Sequence, residues 1–317
     1  TSSTPQKPTT TVVRPFACQL PTVSEQALGN ALKAAGRERE EYVIATKVNG
    51  DNLKPDRLRS TFQRSLENLQ TDYVVDLAPY ISDPDVGISD YNDIFEGLRN
   101  ANSNYEKEGT YSLPIHSYSE VLYYNVDFFE KNNLTVPTTW DEMVDTCSKI
   151  CEITGAPAFG WDNLAGSFMT LVKQFGGRYT DQNGNIYFAN EDADVALKVL
   201  NLWKDNVDRG IWRTAGEDMF FSGPFANEQI PMYIGDSVEA SYIPSKNPDL
   251  NWATAPIPQV SSDPAANLCA GHVIVALNTT GDAEKAYASY EFMKFMTSYE
   301  ANLAVVTGGT GYLPIRQ

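Results

Sequence analysis

The sequence predicts an α/β protein of two lobes, and three observations carry that expectation. At 317 residues the chain exceeds the roughly 100–200 residues of a typical single core and suits two. Apolar runs of strand length alternate with stretches whose apolar residues repeat at helical spacing. Hydrophobic residues make up 42% of the chain and aromatics 11%, enough to fill both cores.

The elements follow in order. Residues 1–11, TSSTPQKPTTT, have little to bury and are expected as a flexible linker. Ala27, Leu28, Ala31 and Leu32 form a helical stripe, and residues 42–46 read as a short strand. Leu58, Phe62, Leu66 and Leu69 repeat at helical spacing behind Pro55, a residue suited to a first helical turn, and residues 73–75 are strand-like. GTYSLP, residues 109–114, reads as a turn before a long strand that ends at Tyr124 and Asn125. Thr139 with Glu142 predicts a capping box, and Trp140, Met143, Cys147 and Ile150 run down one helical face behind it. Asn183-Gly184 is a hairpin signal. Asp282 is placed to cap a helix with the stripe Ala286, Tyr290, Met293 and Met296, while Gly308 and Gly309 end the helix after Ser298.

Charge narrows the function. Forty-one acids against 24 bases give a net −17, which opposes a nucleic-acid partner, since that affinity rests on clustered Lys and Arg. No run of 18 apolar residues offers a membrane span, and no secretory leader is visible, so the expectation is a cytosolic chain or a mature, processed one. Cys147, Cys151 and Cys269 are expected as small core hydrophobes. Only two histidines, His116 and His272, are present, neither at ligand spacing from a cysteine, so no metal and no other cofactor is expected.

The segment EVLYYNVDFFEKNNLTVPTT, residues 120–139, running into Trp140, Asp141 and Glu142, resembles the lobe-crossing segment of family 1 extracellular solute-binding proteins, the ligand receptors of bacterial ABC importers. LAPYI, FANEQIPMYIGD, WATAPIPQ, AGHVIVALNTT and TGYLPIR follow the family's order, with Asn227 and Glu228 where the family prefers Gly and Lys. The resemblance implies a type II periplasmic-binding-protein-like fold, each lobe a doubly wound sheet with helices on both faces. It places lobe 1 at 12–114 and 258–308, lobe 2 at 116–257 and a third crossing at 309–317, with further second-lobe helices absent beyond it. It also implies a non-enzymatic monomer, extracellular or periplasmic and lipid-anchored, that binds a small carbohydrate and delivers it to an ABC permease in the membrane.

Residues 24–76 are similar instead to a helix-strand-helix-strand run of aldo-keto reductases. Lys47 stands in the lysine position of their catalytic tetrad, but no Asp or Tyr lies in RPFACQLPTV ahead of it and no His in LAPYISD after it. An NADPH-dependent oxidoreductase is therefore the weaker alternative, Lys47 reading as a strand-end lysine.

Crossings between lobes are expected near 114–119, 256–259 and 310–312, with a ligand in the cleft between. Tyr118, Trp161, Tyr233 and Tyr312 are the aromatics proposed to take a sugar's CH face, and Asp162, Asp236, Ser237 and Glu239 the groups for its hydroxyls. Trp140, Trp203, Trp212 and Trp252 are assigned to packing. The resemblance adds Ser117, Ser119 and Gly271 and again marks Tyr312. A phosphate ligand, as in a glycerol-3-phosphate receptor, calls for a base in the cleft, and Arg316 alone lies near a crossing. A neutral sugar is preferred. A glycoside hydrolase built on Asp162 and Asp236 would need paired carboxyls about 5 to 10 Å apart across a cleft, which their spacing does not require.

Overall fold

In a computed structural model of the chain, the residues described are 74–103, 108–181, 185–262, 265–276 and 283–317. The linker, the reductase-like segment up to residue 73, Asn183-Gly184 and the cap at Asp282 lie outside them.

One strand organises the rest. β1 (Leu113–Asn125) is thirteen residues long, and its two ends have different neighbours. Helices α1 (Ala78–Ile81) and α2 (Glu96–Asn100) precede it, and α3 (Val126–Lys131), α4 (Trp140–Thr154), α5 (Leu164–Gln174), α6 (Ala193–Asp208) and α7 (Ser222–Ala226) follow. Then come β2 (Met232–Asp236), α8 (Ile243–Lys246), β3 (Trp252–Ala255), β4 (Cys269–Ile274), α9 (Ala283–Met296) and α10 (Tyr299–Thr307). The first half of β1 pairs antiparallel with β4, from Leu113 opposite Ile274 to Ser119 opposite Cys269. Its second half lies between β2, with Glu120 opposite Asp236, and β3, with Asn125 opposite Trp252.

That second half is covered on both faces, so it reads as a continuous apolar run rather than an alternating one. Leu122 joins a core with Trp140, Met143, Phe159, Trp161, Trp212 and Ile234. Tyr123 on the opposite face joins Phe221, Phe225, Ile230, Tyr233 and Ile243. A third core, Val75, Leu77, Ile88, Leu113, Ala276, Ala286, Tyr290 and Met293, gathers at the other end of β1.

Local signals act as their chemistry requires. Thr139 accepts from the Glu142 amide and Glu142 returns a bond to the Thr139 amide, a complete capping box, while Trp140, Met143, Cys147 and Ile150 are buried. Ser298 caps α10, and Gly309 takes φ +69 just past its end. Thr180 pairs with Ile186 in an isolated antiparallel bridge. Cys147 is buried, but Cys269 is exposed on β4, so it is a strand residue with an open side chain rather than a core one. No helix among the described residues is long and apolar enough to cross a membrane.

Candidate functional site

Three chain segments meet at the midpoint of β1. Ser117 and Leu313 exchange backbone hydrogen bonds at 3.2 and 2.7 Å, and the Ser237 hydroxyl donates to Gly311 O at 2.9 Å. Gly311 is required there: φ is +74, and a Cβ would lie 2.5 Å from Ser237 O. The remaining passage falls later than 256–259. Ile257 belongs to the core around Trp140, and the Gln259 amide donates to Thr138 O, so the chain leaves that body only at 267–269, where Leu268 O accepts from the Glu120 amide and the Ser119 hydroxyl.

The proposed aromatics separate into two groups. Tyr118 and Tyr312 are half-buried beside the two histidines: His116 stacks on Tyr312 at 3.7 Å, His272 meets His116 edge-on at 4.5 Å, and Tyr118 lies 6.2 Å from His272. Trp161 and Tyr233 are core residues instead, 1% and 0% exposed. Trp161 stacks on Trp140 at 5.6 Å and Tyr233 on Tyr123 at 4.8 Å, which leaves neither ring a face for a sugar. Both contribute through their polar ends: Trp161 Nε1 donates to Glu120 Oε1 at 2.9 Å, and the Tyr233 hydroxyl donates to Glu239 Oε2 at 3.0 Å.

The small residues marked by resemblance hold the crossings. Ser117 is buried and donates to Pro314 O at 3.1 Å; the Ser119 hydroxyl accepts from Asn267 and donates to Leu268 O. Gly271 sits opposite Ser117, where a Cβ would lie 2.3 Å from His116 O, so its absence of side chain permits strand pairing. These three are better placed to shape the site than to touch a ligand.

Two pairs of carboxyls lie beside them, one on each face of the sheet. Glu120 lies directly across from Asp236 on the same face of the sheet. Asp162 Oδ1 accepts from the Phe221 amide at 2.7 Å. Gly235 leaves the gap that Asp162 and Glu239 share, since a Cβ there would be 2.9 Å from Asp162 Oδ2 and 3.4 Å from Glu239 Cδ. Burial, opposed by the Trp161 hydrogen bond and helped by Asp236, pushes Glu120 up to about 8. Burial and then the Glu239 charge raise Asp162 in the same direction. Tyr118 is pushed up to about 12 by burial, with Asp236, Tyr312 and Glu120 adding to it.

Sequence reasoning missed Glu120, His116, His272 and Tyr242, the last 55% exposed near Tyr312. The period of two from Tyr118 puts Glu120 on the same strand face, and an acid directly ahead of the apolar run VLYYN was the available signal. Arg316 is not a cleft base. It is buried, donating to Thr297 O at 2.7 Å and to Asp90 Oδ2 at 2.7 Å. Among the described residues no group of three or more His, Cys, Asp or Glu could hold a metal.

A strand shared by two bodies, with polar and aromatic groups gathered where the connections cross, defines the two-lobe type II periplasmic binding proteins. Solved structures of that class superpose on the chain: the maltose-bound MalE3 of T. maritima (TM-score 0.65, 20% identity, 93% of this chain and 71% of that one) and the GacH receptor of Streptomyces glaucescens (0.65, 20%, 94% and 71%). UgpB of Mycobacterium tuberculosis in complex with glycerophosphocholine does so too (0.65, 19%, 77% and 62%). The chain belongs to the bacterial extracellular solute-binding protein family, whose profile matches residues 61–317. A binding protein of Brucella abortus is 24% identical over 220 residues, 66% of this chain and 51% of that protein. The chain thus spans about half the length of the curated relatives it matches. A stretch of 57 residues is 42% identical to L-galactose dehydrogenase of Arabidopsis thaliana, 17% of this chain and 18% of that enzyme.

Proposed function

We propose that the protein is a non-enzymatic receptor that binds a small carbohydrate between its lobes and delivers it to an ABC permease in the membrane. The observation that carries this reading is the meeting of Tyr118, Tyr312, Asp236 and Ser237 where β1, the end of β2 and residues 311–313 come together, because a hydroxyl-rich ring needs both an aromatic surface and hydrogen-bonding side chains within reach. Asp162 and Glu239 extend the polar wall, while Ser117, Ser119 and Gly271 hold the crossings in place. MalE3 is maltose-bound, and another fold neighbour, from Agrobacterium radiobacter, is in complex with ribitol, which supports a polyol as the ligand class. The buried engagement of Arg316 with Asp90 weighs against a phosphate ligand.

The lobes in this reading are 12–114 with 270–308, and 116–266, joined through β1, through 267–269 and a third time at 309–317. The receptor works as a monomer outside the cytoplasm, tethered by a lipid at its N-terminal side through the Thr/Ser/Pro-rich residues 1–11. Thermal denaturation against a panel of mono- and oligosaccharides tests the function. A ligand at 100 times its Kd stabilises the native state by about 2.7 kcal/mol, a readily measured rise in Tm. No rise with any sugar, together with NADPH consumption on aldehydes, would replace this reading with the reductase.

A further inference from the structure

We propose that His116 and His272 form a metal site of the zinc type: a divalent ion held by the two imidazoles across the β1–β4 pair, with water completing its shell. The site is additional to the sugar-binding groups and does not depend on which solute the cleft takes.

Three observations converge. First, the chain has two histidines in 317 residues, and the fold sets them directly opposite each other although 156 positions separate them. Strand pairing joins what the sequence keeps apart. Second, their Nδ1 atoms are 3.4 Å apart, and the rings meet edge-on with centroids at 4.5 Å. Two imidazole nitrogens, each about 2.0–2.1 Å from a tetrahedral ion, are themselves separated by about 3.3–3.4 Å. Third, both histidines line one cavity of about 170 Å³, together with Leu98, Asn102, Pro114 and Gly271. Each water needs only about 10–15 Å³ of such space, so the waters that complete a shell have room.

Packing alone does not call for this pair. A hydrogen bond between two strands needs one donor and one acceptor of any type, yet histidine stands at both positions and nowhere else in the chain. Without an ion, one Nδ1–H donates to the other Nδ1. With an ion, the donor ring carries its proton on Nε2 instead, both Nδ1 lone pairs turn to the metal, and neutral rings release no net proton. Tyr312 stacks on His116 at 3.7 Å and restricts the swing of that ring, which keeps one ligand oriented before the ion arrives. Imidazole nitrogen suits Zn²⁺, Ni²⁺ and Cu²⁺, not the oxygen-seeking Ca²⁺ and Mg²⁺. The net charge of −17 favours the approach of any cation, so the ligand type is what selects among them. Among the described residues no group of three His, Cys, Asp or Glu is assembled, so the site holds its ion by two protein ligands and keeps open positions.

Two measurements on the full chain without an affinity tag test the site. Isothermal titration calorimetry with zinc chloride should show binding that survives an excess of Ca²⁺ and Mg²⁺. Pulsed electron paramagnetic resonance of the chain loaded with Cu²⁺ counts coordinated imidazoles, and because the chain contains two histidines, a two-imidazole signature assigns the site without any substitution. His116→Asn and His272→Asn should each weaken Zn²⁺ binding at least roughly tenfold and reduce the signature to one imidazole. Zn²⁺ should also raise the Tm of the parent and not that of either variant. A parent spectrum with one imidazole or none, or Zn²⁺ affinity unchanged in both variants, would overturn the proposal. Either outcome leaves the receptor reading standing, since the sugar panel needs no metal, and a failure of that panel would leave this site in place.

Discussion

Glu120 makes the stability of the fold depend on pH. Its folded value of about 8 stands above the ordinary 4.5, so between those limits the folded chain holds a proton that the unfolded chain has lost. Stability from this group is therefore fully present below about pH 4.5 and declines as pH rises through 8, by up to roughly 1.4 kcal/mol per unit. Glu120→Gln cannot ionise and keeps the bond to Trp161. Its stability relative to the parent should climb with pH, reaching an advantage of about 2 to 4 kcal/mol at pH 8.5 over that at pH 5, in urea denaturation at both values. A constant difference at the two pH values would mean that the carboxyl already ionises in the fold. Tyr118, Tyr312, Asp236 and Ser237 were legible in the sequence because each adjoins a turn or strand end where crossings were expected. Trp161 and Tyr233 were equally prominent there, but which side of a strand faces solvent depends on the layers that cover it. Here both faces of β1 are covered, so their rings went into cores.

At the scale of elements, helix starts were the most readable part of the chain, because a capping box or an Asn or Ser cap is a local hydrogen-bond problem solved within four residues. Thr139, read as a capping box, and Ser298, read as preceding a helix, accept from amides in the first turn they begin, and so do Asn125 and Asn163, which the sequence reading did not name as caps. The second passage between bodies was misplaced for the opposite reason: residues 256–259 carry Pro and Gln, which suit a crossing, yet Ile257 and the Gln259 amide are claimed by the body built on α4. A local conflict survives just after α7. Glu228 takes φ +57, a left-handed conformation that its Cβ disfavours and glycine does not, at one of the two positions where the resemblance expects Gly and Lys. Its amide bond to Phe225 O needs no side chain. Glu228→Gly should therefore raise the unfolding free energy by about 1 kcal/mol despite the added freedom of the unfolded chain, measured by urea titration. A loss of stability would show that the Glu228 side chain contributes more than the backbone strain costs.

For the whole molecule, the separation of cores sets the expected unfolding behaviour. The cluster of Val75, Leu77, Leu113, Tyr290 and Met293 shares no buried residue with the two built around Leu122 and Tyr123, and the bodies are connected through β1, residues 267–269 and residues 311–313. Arg316 belongs wholly to the first body, its guanidinium bonded to Thr297 O, Asp90 O and the Asp90 carboxylate. Arg316→Met fills similar volume but leaves those carbonyls without their donor, a loss of about 2 to 3 kcal/mol. Without ligand, calorimetry should resolve two transitions, and this substitution should lower one of them while the other stays in place. With a saturating ligand the transitions should draw together, because a molecule held by both bodies must be released before either unfolds independently. A single transition that moves as a unit when Arg316 is replaced would instead mean that the crossings couple the bodies strongly even without ligand, and the cleft would then have little independent motion with which to close.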